Sequence, residues 1–440
     1  MTKAKMDGFR QVGALRVEIE VAGEARLLGR LAWRRDERKS YFEFDRGFLD
    51  DPLPVSPFLL KARPGVIAAE PATFEGLHGL FNDSLPDGWG RRLLDRSLQR
   101  RGLDHRSLTP LDRLAAVGTG GMGALRYVPE MTLDEGPLEG VADVDWLAGQ
   151  ARLAEEDHPE ADVDTLRLAE GSSGGARPKI VVGYDPSSRT VRYDGSGTLH
   201  VGYGHWLLKF GSRDDPAEIG AEEYAYSLMA ARAGVTMPET DLIRTRSGGY
   251  FAVRRFDRDA VGRVHVHSAS GLSGADHRVP GAMDYELLLR ITRLLTRDAT
   301  AVAQVFRRMA FNVFAHNRDD HAKNHAFLMD ADGTWTPAPA YDLTFSTGPA
   351  GEHNLTLAGE GRNPGQNEIM RVAADAAIPK VKAKAIVDEV REAVARWAEC
   401  AAVAGVSERR TSEIDAVLNV ARRKVRPDPP GEAEAATPSP

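Results

Sequence analysis

At 440 residues the chain is long enough for roughly two or three domains, each with its own core. A composition of 42% hydrophobic and 28% charged residues excludes a disordered or fibrous chain, and a net charge of −7 gives bulk electrostatics no reason to draw it directly to nucleic acid. One cysteine, Cys400, excludes an internal disulfide framework and a thiolate-rich metal site, and its Ala/Val-rich surroundings suit a buried thiol.

Residues 8–45 alternate apolar and polar positions in short runs ("ALRVEIEVAG", "ARLLGRLAW", "KSYFEFD"), the period of antiparallel strands. From Phe74 to about Leu125 the pattern turns helical, and "GTGGMGALRYVPE" reads as a loop feeding a strand. Residues 1–130 are therefore expected to form a small α+β domain. Residues 131–160 hold an acidic Pro/Gly linker and the helix "VDWLAGQARLAEE". A strand-rich lobe is expected over 161–260, from "ARPKIVVGYD", "TVRYDG", "HWLLKFGS" and "GYFAVRRFDR" around the helix "AEIGAEEYAYSLMAARAGV". Residues 261–425 read as a helical lobe interrupted by one hairpin, "HAFLMDADGTWTPAPAYDL", and 426–440 as a disordered tail. The fold class is α+β. No apolar run approaches the roughly 18 residues that span a bilayer and the first residues lack a signal peptide's apolar core, so a cytoplasmic protein is expected.

The densest chemistry is "AHNRDDHAKN", residues 315–324. His321 and His325 stand four apart, as in a zinc hydrolase helix, but position 322 is Ala where the general-base Glu would be, and Lys323 would repel a cation. Arg318-Asp319 followed by Asn324 instead has the RDxxxxN interval of a protein-kinase catalytic loop, with Asp342 of "YDL" after the hairpin as a second metal-binding carboxylate. There an Asp accepts the substrate hydroxyl proton while an Asn and an Asp hold Mg²⁺ on the phosphates. Asp320 has no required role in that scheme. An Asp-rich turn between helix and strand presents the same residues, so the spacing alone leaves both readings open. Upstream, "EGSSGGARPKIVV" is a Ser/Gly loop entering a strand, fit for a phosphate cradle or a plain turn. Lys209 sits in an apolar strand and needs a partner, for which Glu222 and Glu223 on the next helix are candidates. Strand Lys, helix Glu, RDxxxxN and hairpin Asp follow the kinase order of parts.

With "SLPDGWGRRLL", "SSGGARPK", "AVRRFDR", "RDDHAKN" and "AYDL" in hand, the chain resembles the HipA family of Ser/Thr kinases, toxins of bacterial toxin–antitoxin systems, over about residues 10–350. The first motif is a family marker, and its Pro86 and Trp89, with Asn82 and Asp83 just before it, read equally well as a helix entry with a buried Trp. The resemblance implies a two-lobed kinase-like unit behind the amino-terminal domain, with ATP between the lobes. It makes Asp319 the general base, Asn324 and Asp342 the metal ligands, Lys209 the phosphate-gripping lysine and Glu223 its orienting partner. Gly174, Gly175, Ala176, Arg177, Pro178 and Lys179 would form the phosphate-side loop, and Arg254, Arg255 and Phe256 the hinge beside adenine, used through its backbone. His321, Ala322, Lys323, Asn324, Tyr341 and Asp342 would close the nucleotide site. It further implies autophosphorylation of Ser172, or Ser173, though both suit a turn.

Implied partners are ATP and Mg²⁺, a helix-turn-helix antitoxin of HipB type, and a protein substrate such as an aminoacyl-tRNA synthetase. DNA would be met only through the antitoxin, and no membrane is implied. The alternative is an antitoxin-binding co-repressor module in which catalysis is secondary. The sequence departs from the family at Arg177-Pro178, where relatives carry Gln-Glu and where Pro removes an amide donor, and at Arg254. It also departs over residues 265–280, a segment expected beside the substrate groove.

Overall fold

Residues 11–70, 72–129, 138, 140–170, 174–193, 199 and 201–424 are described by a computed structural model. Period-two patterning over 8–45 becomes β1 (Ala14–Val21), β2 (Glu24–Arg34) and β3 (Lys39–Phe44), and β4 (Val66–Ala68) and β5 (Leu125–Val128) complete an antiparallel sheet of five. Their order is β4-β3-β2-β1-β5. In β1, Leu15, Val17 and Ile19 point into the core while Ala14 and Arg16 are exposed. The β1–β2 turn needs only two residues because Ala22 (φ 50°) and Gly23 (φ 80°) both take left-handed backbone, which matches the twist of the strands they join.

The second sheet holds β6 (Lys179–Asp185), β7 (Thr190–Tyr193), β8 (Gly204–Lys209), β9 (Thr240–Arg244) and β10 (Gly249–Arg254), all antiparallel, in the order β7-β6-β8-β10-β9. Alternation sorts its side chains between two faces. Ile180, Val182, Trp206, Leu208 and Ala252 pack into a core shared with the helices Gly88–Arg100, Val144–Glu155 and Val163–Glu170, through Trp89, Leu93, Leu147 and Leu166. Val181, Leu207, Phe251 and Val253 face the other way and line a cleft. Lys209 lies two residues from Leu207 and therefore shares the cleft face. The helix Ile219–Arg232 approaches the sheet edge so closely at Gly220 that a Cβ there would lie 2.2 Å from the carbonyl oxygen of Gly249.

Across the cleft stands a helical body: Tyr285–Thr296, Ala299–Phe314, Gln366–Asp375, Lys380–Ala395, Trp397–Ala404 and Glu408–Lys424, with a small antiparallel sheet of β11 (His265–Ser268), β12 (Ala326–Met329) and β13 (Trp335–Pro337). One apolar core runs from Val17 and Phe42 of the first sheet to Phe306, Phe311 and Trp397 of the helices, so the amino-terminal sheet and the helical body share an interior. Cys400 is buried there. The α+β class holds. Among the described residues no helix is long and apolar enough to cross a membrane.

Local differences from the sequence expectation have visible causes. The helical stretch 379–405 is two helices, because Arg396 between them leaves helical backbone (φ −96°, ψ 21°). The segment 265–280 was expected at a substrate groove, but its first half is interior. His265 and His267 of β11 are buried, His265 bonded to the Val55 carbonyl at 2.9 Å and His267 to Asp83 at 2.7 Å. Farther on, Asp276, His277 and Val279 reach an opening beside His321. Ser172, Ser173, the acidic stretch 130–137 and the tail lie outside the described residues.

Candidate active site

The cleft between the second sheet and the helical body has an empty space, open mouth included, of about 1150 Å³. One end is apolar, from Val181, Leu207, Met237, Phe251, Val253 and Leu343; the other holds the charged groups. At the charged end Lys209 is buried, with Nζ 2.9 Å from Glu223 and in contact with Asp342. Burial alone would pull this ammonium down, but the charges of Asp342 and Glu223 outweigh it and hold the lysine above its ordinary range. Reciprocally, burial would raise Asp342, while Lys209, Lys179 and Arg177 keep it well below the usual carboxylate range. Of the two glutamates offered by the helix, Glu223 takes Lys209; Glu222 is held instead by Arg410 at 2.7 and 3.0 Å.

The loop residues divide. Gly174, Gly175 and Lys179 line the cleft, and Lys179 donates to the Gly174 carbonyl. Ala176 packs against Gly88, and the Pro178 carbonyl receives the Phe210 amide at 2.9 Å. Arg177, the departure from the family loop, joins the charge network, bonded to Glu223 at 3.1 Å and to Asp215 at 2.9 Å. At the opposite edge Arg254, Arg255 and Phe256 line the cleft. Their backbone is less available than expected: the Arg254 amide donates to Glu239 O (2.8 Å) and the Arg255 amide to His205 O (2.9 Å), so neither can donate to a base. Arg255 is clamped by Asp257 at 2.8 and 2.7 Å.

The segment 315–324 follows the helix Ala299–Phe314. His316 (φ 52°) lies past the helix end with its ring stacked on Phe345, and His325 is buried. The three histidines of a zinc helix therefore share no helix, and no group of three or more His, Cys, Asp or Glu among the described residues is placed to hold a metal. That overturns the hydrolase reading. Asp319 keeps part of its side chain exposed, yet the cleft crowds its carboxyl enough that loss of surrounding water pushes it above the ordinary range; His321 pulls the other way, and Asp342 adds to the rise. Asn324 uses its side-chain nitrogen on the Asp319 carbonyl at 2.9 Å, which leaves its oxygen for another partner. Asn324 and Asp342 thus present an amide oxygen and a carboxylate, the hard oxygen donors that Mg²⁺ takes. Asp342 adopts left-handed backbone (φ 54°), an uncommon state for a residue other than glycine and frequent at functional sites. Tyr341 ties the two walls, its hydroxyl on the Lys323 carbonyl at 2.6 Å and its ring 5.5 Å from Phe256. His321, Lys323, Asn324 and Tyr341 line the cleft, while Ala322 is buried behind it.

Three residues were given no function by the sequence. Asp320 is wholly buried and accepts from Tyr285 Oη (2.7 Å), His353 Nδ1 (2.9 Å) and the Asn354 amide (2.8 Å). Asp83 receives the Ser268 amide and hydroxyl, each at 2.7 Å, besides His267. Asp87 enters the cleft from the amino-terminal region and bonds Lys323 at 2.6 Å. The marker motif was the available signal for the last two, but nothing in its spacing distinguishes a helix entry from a clamp.

A two-lobed α+β protein with a charged cleft is the class that this geometry defines. Two family models match the chain, the HipA N-terminal domain over residues 19–128 and the HipA-like C-terminal domain over 171–398. The second covers more than half of the sequence, and the chain belongs to the HipA family. It is 28% identical over 329 residues to a protein of Sinorhizobium fredii named "Putative kinase Y4mE", which covers 69% of this chain and 71% of that one. The structure superposes on HipA of Shewanella oneidensis MR-1, solved with HipB and operator DNA, with a TM-score of 0.68 at 14% identity over 93% of this chain and 97% of that one. At that identity the likeness is one of fold.

Proposed function

We propose that this protein is an ATP- and Mg²⁺-dependent serine/threonine protein kinase of toxin type. The observation that carries the reading is the buried Lys209–Glu223 pair at the cleft wall, joined to Asp342 from the other lobe, with Asp319 on the same loop as Asn324. The relative named as a kinase and the membership in the HipA family support the same reading. In this scheme Val181, Leu207, Phe251 and Val253 take the base, and Lys209 with the Gly174–Gly175 loop takes the phosphates. Asp319 accepts the proton of a protein hydroxyl. Mg²⁺, held by the oxygens of Asn324 and Asp342, would supply charge neutralisation at the phosphates. The acceptor is a protein serine or threonine, with an aminoacyl-tRNA synthetase as the substrate class and Ser172 or Ser173 as the self-modified site. The HipA–HipB–operator assembly of the Shewanella relative supports a HipB-type antitoxin as partner, with DNA met through it.

Titration calorimetry tests the nucleotide half. ATP is expected to bind in the presence of Mg²⁺, and Asp342→Asn to weaken that binding by about ten- to hundredfold, the usual worth of one charged contact. A wild-type protein that takes up no nucleotide contradicts the reading.

A further inference from the structure

Asp87 occupies the N-cap of the helix Gly88–Arg100, where an aspartate ordinarily caps the helix by accepting its free amides. Here the side chain makes no cap bond. It leaves its own helix: Oδ1 receives the Gly175 amide and Oδ2 the Lys323 ammonium at 2.6 Å. One carboxylate of the amino-terminal region thereby joins the glycine loop of one lobe to the catalytic loop of the other.

The backbone beside it is shaped for the same contact. The Trp89 amide donates to the Gly175 carbonyl at 3.1 Å. Gly88 takes φ 38°, and a Cβ there would lie 2.6 Å from Ala176 Cα and 2.7 Å from Gly175 O, so only glycine allows the approach. The loop is gripped from its other side by Lys179 on the Gly174 carbonyl. An amide and an ammonium converging on one anionic group are also the donors that a phosphate oxygen would use.

We propose that Asp87 is a positioning residue for phosphotransfer: acting through Lys323, it holds the Gly174–Gly175 loop and the catalytic loop in register before nucleotide arrives. This rests on the kinase reading for its catalytic consequence but not for its structural one. The amino-terminal region is then part of the active site and not a module apart. Because the link is made by charge as well as by shape, Asp87→Asn keeps the volume and one acceptor but loses the ion pair.

The test has two arms, on the full chain. In the nucleotide-free protein, amide hydrogen exchange over 174–177 is expected to rise about ten- to hundredfold in Asp87→Asn, the equivalent of one lost charged hydrogen bond, with the rest of the chain unchanged. Unchanged exchange there, or a rise spread over the whole chain with a lowered Tm, overturns the proposal. In the second arm, kcat/KM for ATP is measured for Asp87→Asn, Lys323→Met and the double variant. Each single change is expected to lower it, and the double variant to be no slower than Lys323→Met; additive losses overturn the proposal. If the wild type transfers no phosphate, the kinase reading falls alone, and the exchange arm still decides whether Asp87 holds the loops together.

Discussion

Lys209→Met is expected to lower kcat/KM for ATP by about 10²–10³, the usual cost of removing one preorganised charge from a water-poor site. The structure gives the reason. Lys209 is the cation common to Glu223 of one lobe and Asp342 of the other. Without it Asp342 still has Lys179 and Arg177 near it, but Arg177 is already shared with Glu223 and Asp215. Methionine has a similar length and keeps an apolar stem near the Phe251 ring, which lies 5.6 Å from the Lys209 ammonium, so folding should survive, and a circular dichroism spectrum like that of the wild type is part of the expectation. Steady-state phosphotransfer over a range of ATP concentrations measures it. A variant within about threefold of the wild type would mean that Lys209 serves the fold and not the transfer, and its loss would then be read in stability, as for a buried pair deprived of one partner.

Asp320→Ala should act on stability first. Its carboxylate collects Tyr285, His353 and the Asn354 amide in the interior; Tyr285 in turn receives Asn312 at 2.9 Å, and Asn312 receives Asn317 at 3.0 Å. Truncation leaves several buried donors without acceptors, at about 1–3 kcal/mol for each group. A loss of about 3–5 kcal/mol in urea unfolding is expected, placing this change among the severe ones. A loss under about 1 kcal/mol would show that water replaces the carboxylate. Because Asp319 is the preceding residue, the less disruptive Asp320→Asn should impair phosphotransfer more than it lowers stability.

The contrast between Asp319 and Asp320 shows where sequence reasoning reaches and where it stops. The interval from Asp319 to Asn324 and the hairpin before Asp342 were legible, because a catalytic loop and a tight Asp-Gly turn both impose short, fixed spacings. The strand placing of Lys209 and its need for Glu222 or Glu223 were legible from alternation and from the cost of burying a charge, while the choice of Glu223 came from the family resemblance. Asp320 was not, because its partners Tyr285, His353 and Asn354 lie 33 to 35 residues away and meet it only through folding. Asp87 was hidden for the same reason on a larger scale, 236 residues from Lys323. The strands β9 and β11 were missed because "TDLIR" and "HVHS" carry polar residues whose neighbours, not whose pattern, hold them in sheets. The segment 265–280 was expected beside the substrate groove, and nothing in its sequence showed that His265 and His267 pack against Val55, Ser56 and Asp83.

Intact-mass spectrometry after incubation with ATP and Mg²⁺, comparing the wild type with Asp319→Asn, tests the central claim most directly. A phosphate-sized gain in the wild type alone is the predicted result, with fragmentation placing it on Ser172 or Ser173. An equal gain in Asp319→Asn would contradict the assignment of the catalytic base, and no gain in the wild type, even with protein substrate supplied, would contradict phosphotransfer itself.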